Sequence, residues 1–216
     1  MKTIQYTVVL YLLLFVSSVQ AQFFNILNQR LYGTTDGVDI RNIDTINANI
    51  VIGFSGGGGD VNNYKTCAIG NSDAWVSLFN NNLDEIWQNC YGGLQNDLLF
   101  DIIVNHSANE ILIAATSQSG ISGNKTTSNF GNSDFWLLKT DANGAILDQY
   151  TYGGSGDDTF FKILLLDDDY LLCGISDSPV SGNKLSPNRG NSDYWVIKTD
   201  FNGNIIWDNI YGGECR

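Results

Sequence analysis

Three aspartates, Asp73, Asp134 and Asp193, each stand two residues ahead of a tryptophan, Trp75, Trp136 and Trp195, inside the blocks GNSDAW, GNSDFW and GNSDYW. A carboxylate in such a loop can accept backbone amide hydrogen bonds and fix the turn, or it can reach a ligand. Recurrence in every copy assigns these three to architecture, since a single binding site seldom needs one identical group per repeat. Asp157-Asp158, matched by Asn96-Asp97 one period earlier, clusters hard oxygen ligands, so Asp97, Asp157 and Asp158 are the calcium candidates. No D-x-D-x-D-G loop accompanies them.

Other chemistries lack their parts. The single histidine, His106, falls in a predicted turn at 105–109, and no G-x-S-x-G elbow exists to supply a serine nucleophile. The glycine run at 56–59 has no following Lys-Ser/Thr and opens no helix, which reads as a loop rather than a phosphate cradle. Acids are plentiful, yet nothing singles out the pair that a glycosidase requires. Catalytic and cofactor-binding residues are therefore both assigned as none, and the chain is expected not to be an enzyme.

Five tryptophans raise the question of carbohydrate stacking, but Trp75, Trp136 and Trp195 share one strand position and Trp87 and Trp207 another, as core packing demands. Four cysteines, Cys67, Cys90, Cys173 and Cys215, permit two disulfides in any of three connectivities. Cys90 aligns with Thr151 and Ile210, and Cys173 with Ala114. The preferred reading is buried free thiols at small or apolar sites. The triplets Asn105-His106-Ser107 and Asn124-Lys125-Thr126 match glycosylation acceptors in a eukaryotic secretory pathway.

Composition bounds the partners. The net charge of −12 repels phosphate backbones and disfavours nucleic acid. Residues 1–21 read as an export signal: Lys2, an apolar run at 8–16 and small residues before Ala21. That run is shorter than the roughly 20 residues a spanning helix needs, and no transmembrane segment is expected after cleavage. Two prolines, 23 glycines and 12% aromatics favour strands and tight turns.

What must position these residues is a repeat. Trp75, Trp136 and Trp195 are 61 and 59 residues apart, and Tyr91, Tyr152 and Tyr211 keep the same intervals. SGNK recurs at 122–125 and 181–184. Units run at about 33–91, 92–152 and 153–213, within a repeat domain spanning 22–216. Each unit is predicted to hold four strands; in the last these are 160–166, 170–176, 194–199 and 204–211. Asn-Gly turns at Asn143-Gly144 and Asn202-Gly203 supply the positive φ a hairpin needs, whereas the first copy has Asn82-Leu83 and must differ or strain. Both faces of the third strand are largely apolar, so each sheet must be covered on both sides. Radial stacking of four-stranded blades satisfies this.

The succession of SGNK, G-x-x-D-[YF]-W-x-x-K-x-D-x-x-G and Y-G-G resembles the propeller-type repeats of about 60 residues in large secreted bacterial surface proteins, often exported by the type IX system. The resemblance covers about 31–213. It implies an all-β, β-propeller-like fold and a secreted or cell-surface location, and it implies no catalytic set. Leu31-Tyr32-Gly33 matches the end of a fourth strand, giving three four-stranded blades plus one leading strand, an incomplete ring. A fragment of a longer frame, association of copies and an open arc are the three explanations. The expected function is an adhesion or interaction scaffold with a protein or glycan partner and self-association through unfinished blade faces. The alternatives are a carbohydrate-binding or carbohydrate-cleaving propeller, and a structural fragment.

Overall fold

The computed structural model describes residues 38–56 and 65–213. The export signal, the leading strand at 31–33, most of the glycine run and Cys215 lie outside the described residues. The described residues form no helix. They form three antiparallel four-stranded sheets, each a simple meander of consecutive strands. The first holds β1 (Val38–Ile46), β2 (Asn49–Gly56), β3 (Ala74–Phe79) and β4 (Glu85–Tyr91). The second holds β5 (Asp97–Asn105), β6 (Glu110–Ser117), β7 (Asp134–Asp141) and β8 (Ile146–Tyr152), and the third β9 (Asp158–Leu165), β10 (Asp169–Ser176), β11 (Asp193–Asp200) and β12 (Ile205–Tyr211).

The register repeats along with the sequence. Trp75 pairs with Cys90, Trp136 with Thr151 and Trp195 with Ile210. Each first strand carries one unpaired residue, Arg41, Phe100 or Phe161. Each fourth strand carries another, Ile86, Leu147 or Ile206. These bulges sharpen the local twist, and they explain why three aliphatic side chains within otherwise paired strands point into water.

The turn between third and fourth strands follows its residues. Asp141 Oδ1 accepts the amides of Asn143 and Ala145, Asp200 Oδ1 those of Asn202 and Asn204, and the glycines take φ of +78° at Gly144 and +79° at Gly203. In the first sheet Asn80 Oδ1 anchors the amides of Asn82 and Asp84 in the same way, and Leu83 is forced to φ +61°. The turn shape survives there, and the strain falls on a leucine.

First strands lie beside one another, β1 against β5 and β5 against β9. One core fills the first junction, with Val51, Val76, Tyr91, Leu99, Ile102 and Trp136 among its members. Another fills the second, with Leu112, Phe135, Leu137, Tyr152, Phe160 and Trp195. The middle sheet is thus buried on both faces. The third is not: Tyr194 is 63% exposed, where its counterpart Phe135 is fully covered. Trp207, expected in the core, is exposed for the same reason, because it lies on the face of the third sheet away from the second.

The cysteines correct the expectation of free thiols. Cys67 and Cys90 form a disulfide with their Cα atoms 5.6 Å apart, and Cys173 is free and half-buried. Thr127 and Thr151 hold the same two positions in the second sheet, joined hydroxyl to hydroxyl at 2.7 Å. The bond therefore replaces a contact that the fold already makes.

Candidate functional site

The loops that join second to third strands, and each sheet to the next, gather SGNK, GNSD and YGG. Across the first junction the Tyr91 hydroxyl donates to the Gly144 carbonyl at 2.8 Å, the Gly92 amide to Asn124 Oδ1 at 2.9 Å and the Gly93 amide to Asp97 Oδ2 at 2.7 Å. Asn124 Nδ2 completes a two-point contact by donating to the Cys90 carbonyl at 2.9 Å. The second junction repeats this set: Tyr152 to Gly203 at 2.9 Å, Gly153 to Asn183 at 2.9 Å, Gly154 to Asp158 at 2.7 Å, and Asn183 to the Thr151 carbonyl at 2.8 Å. YGG and SGNK are the two halves of a clasp between sheets. Glycosylation at Asn124 would break it, and the other triplet has its asparagine buried.

The repeated aspartates anchor the loop that precedes them. Asp73 accepts the amides of Ile69 and Gly70, Asp134 those of Phe130 and Gly131, and Asp193 those of Arg189 and Gly190. Gly153 lies so close to Asp134 that a Cβ there would sit 1.7 Å from Oδ1, which only glycine avoids. Burial pushes the Asp134 carboxyl up to about 7, with the Asp158 charge adding to the rise and the two loop amides and Lys125 opposing it. Burial also raises the carboxyls of Asp97 and Asp158.

The SGNK lysines sit among these acids. Lys125 Nζ donates to the Thr127 carbonyl at 2.6 Å and to Asn129 Oδ1 at 3.1 Å, and it lies 5.6 Å from the Trp136 ring centroid. Lys184 repeats the pattern with Ser186, Asn188 and Trp195. Burial lowers the Lys125 ammonium to about 8, against the pull of Asp97 and Asp134. Both lysines are buried rather than presented to solvent. The repeated K-x-x-x-[N] spacing, Lys125 to Asn129 and Lys184 to Asn188, was the overlooked sign that each lysine turns back into its own loop.

The calcium candidates have protein partners. Asp97 accepts the Gly93 amide and the Ser117 and Ser119 hydroxyls; Asp158 accepts the Gly154 amide and the Ser178 hydroxyl. Asp157, exposed, accepts the Ser133 hydroxyl at 2.7 Å. Among the described residues no group of three or more His, Cys, Asp or Glu side chains is placed to hold a metal ion. His106 is exposed in the turn between β5 and β6. Trp75, Trp136 and Trp195 are buried, and Trp87 donates its indole N–H to the Ala142 carbonyl across the junction.

A polar chain that sequence reasoning missed crosses the first strands. Asn42, Asp101 and Lys162 each follow the bulged residue of their strand. Buried Asp101 accepts from Asn42 Nδ2 at 2.6 Å, from Lys162 Nζ at 3.0 Å and from the Ile163 amide at 3.1 Å, tying three sheets through one carboxylate. The three residue types differ, so no repeat alignment marks the position.

A concavity lies open beside the clasps. A cleft of about 670 Å³ runs along the second junction, lined by Phe130, Gln149, Tyr150, Thr151, Leu185 and Gly203 among others. Tyr150 packs over Gly203, where a Cβ would meet its ring, and Phe130 and Leu185 are exposed at the rim. Gln149 is held by the Trp136 indole and the Thr126 amide. At the first junction Asn89 stands in place of Tyr150 and binds the Gly144 carbonyl. Compared with known proteins, the chain matches no family model and no curated protein.

Proposed function

We propose that the chain is an exported, non-enzymatic interaction scaffold of β-propeller type, its three sheets being consecutive blades with β1, β5 and β9 innermost. The single observation that carries this reading is the occupation of the loop chemistry. The repeated Asp, Asn, Ser and Lys side chains bond to their own or neighbouring loops, leaving a rigid frame rather than a set of groups poised to move protons. The Cys67–Cys90 bond fits an oxidising compartment, and the surplus of acid keeps such a frame soluble.

The cleft at the second junction favours a more specific version, in which the scaffold holds a glycan. Tyr150 and Phe130 offer ring faces of the kind that stack on sugar rings, beside the hydroxyl-bearing Thr127 and Thr151. A glycan array probed with the protein spanning 22–216 tests this directly. Selective retention that Tyr150→Ala lowers about tenfold or more supports glycan binding in the cleft. Uniform silence on the array leaves the protein-binding scaffold, and turnover of any arrayed glycan would overturn the non-enzymatic reading.

A further inference from the structure

We infer that Tyr211-Gly212-Gly213, with the open face of the third sheet, is a docking surface for a further sheet of this same repeat. The two junctions inside the chain define what such a surface needs. The tyrosine hydroxyl of YGG donates to a turn carbonyl, its first glycine amide to an asparagine of SGNK, and its second glycine amide to the aspartate that opens the next first strand. On the third sheet, among the described residues, the Tyr211 hydroxyl and the Gly212 and Gly213 amides have no hydrogen-bond partner. Tyr91 and Tyr152 are 2% and 1% exposed, and Tyr211 is 55% exposed. Gly92 and Gly153 are buried, and Gly212 is exposed.

The apolar half of the surface corresponds as well. By register, Tyr194 stands for Phe135, Val196 for Leu137 and Cys173 for Ala114, and all three residues of the second sheet are fully covered by the third. Asp193 already lies against Gly212 as Asp134 lies against Gly153. What is missing at this third position is the second carboxylate, the role that Asp158 fills beside Gly153.

These requirements choose the occupant. A second copy of this chain would have to offer its first sheet, where Val38 stands at the position of Asp97 and Asp158, and in the sequence Tyr64, just before Lys65, aligns with Asn124 and Asn183. It lacks two of the three partner groups. A repeat unit with an aspartate at the head of its first strand, an SGN asparagine and an Asx-Gly turn supplies all three. The surface stands whether or not the cleft holds a glycan.

Cys173 reports on the docking, because it is a free thiol within the face in question. With Cys215→Ser throughout, thiol labelling is followed on the chain as it is, and on the same chain extended after Gly213 by a further copy of 155–213 whose own Cys173 equivalent is alanine. Docking slows labelling of Cys173 about tenfold or more in the extended chain, and alanine at its clasp asparagine restores part of the rate. A second extension, by 94–152, carries the same clasp on a different sequence and guards against one unit failing to fold. Labelling that stays as fast with both extensions overturns the proposal. So does a chain that, unextended and at low micromolar concentration, sediments as a dimer with Cys173 protected, since a second copy would then own the face.

Discussion

Asp134 is a carboxyl packed between a glycine that cannot retreat and a second buried acid, Asp158, with the Lys125 charge opposing the effect of burial. An unfolded aspartate titrates near 3.9. Burial raises the folded value to about 7, so between these limits the native state holds a proton that the unfolded state has released. Asp134 therefore contributes its full stability below about pH 4 and loses it as pH rises through about 7. Asparagine keeps an oxygen for the Phe130 and Gly131 amides and cannot ionise. Asp134→Asn is expected to flatten the stability profile and to gain about 1–3 kcal/mol on the parent between pH 4 and pH 8. Urea denaturation at pH 4, 6 and 8 checks this, and parallel profiles for parent and variant would contradict it. The three aspartates were legible as loop anchors because their place ahead of a strand tryptophan recurs. The raised carboxyl was not, because its first cause is burial at the junction, to which the Asp158 charge adds from another sheet, and neither is written in the residues around Asp134.

At the scale of the element, the strands follow from period-2 patterning between Asx-Gly turns, and β9 to β12 lie within two residues of their expected limits. The disulfide was illegible for a definite reason. Cys90 and Cys173 were aligned across the repeats and Cys67 was not, although it too has counterparts: it stands two residues after Lys65, as Thr127 does after Lys125 and Ser186 after Lys184. Aligning both positions pairs Cys67–Cys90 with the hydrogen-bonded Thr127–Thr151 and exposes the bridge. The bond closes a separation of 23 residues. On the chain-entropy model that is worth about 3 kcal/mol. Replacing both cysteines by alanine is expected to cost about that much, and replacing both by threonine to recover about 1 kcal/mol of it through the hydroxyl pair of the second sheet. Equal midpoints for the alanine and threonine variants in denaturant would show that the loop does not adopt the geometry of its counterpart.

Over the whole molecule, cohesion comes from one junction used twice, so equivalent substitutions in the three repeats should have unequal costs that depend on what each junction supplies. The YGG tyrosines isolate this. Tyr152 donates to the Gly203 carbonyl at 2.9 Å, and its loss leaves that carbonyl without the phenol. Tyr91 donates to Gly144 at 2.8 Å, but Asn89 Nδ2 also reaches that carbonyl at 3.3 Å and remains when the phenol is removed. Tyr211 faces solvent. Tyrosine to phenylalanine should therefore cost about 1–2 kcal/mol at Tyr152, less than 1 kcal/mol at Tyr91 and about zero at Tyr211, because a lost hydrogen bond is expensive chiefly when its partner stays buried and unpaired. Urea midpoints of the three single variants give the ranking. Equal costs at all three positions would mean that the tyrosine acts within its own sheet rather than across the junction, and a loss at Tyr211 as large as at Tyr152 would mean that its hydroxyl already has a partner in solution.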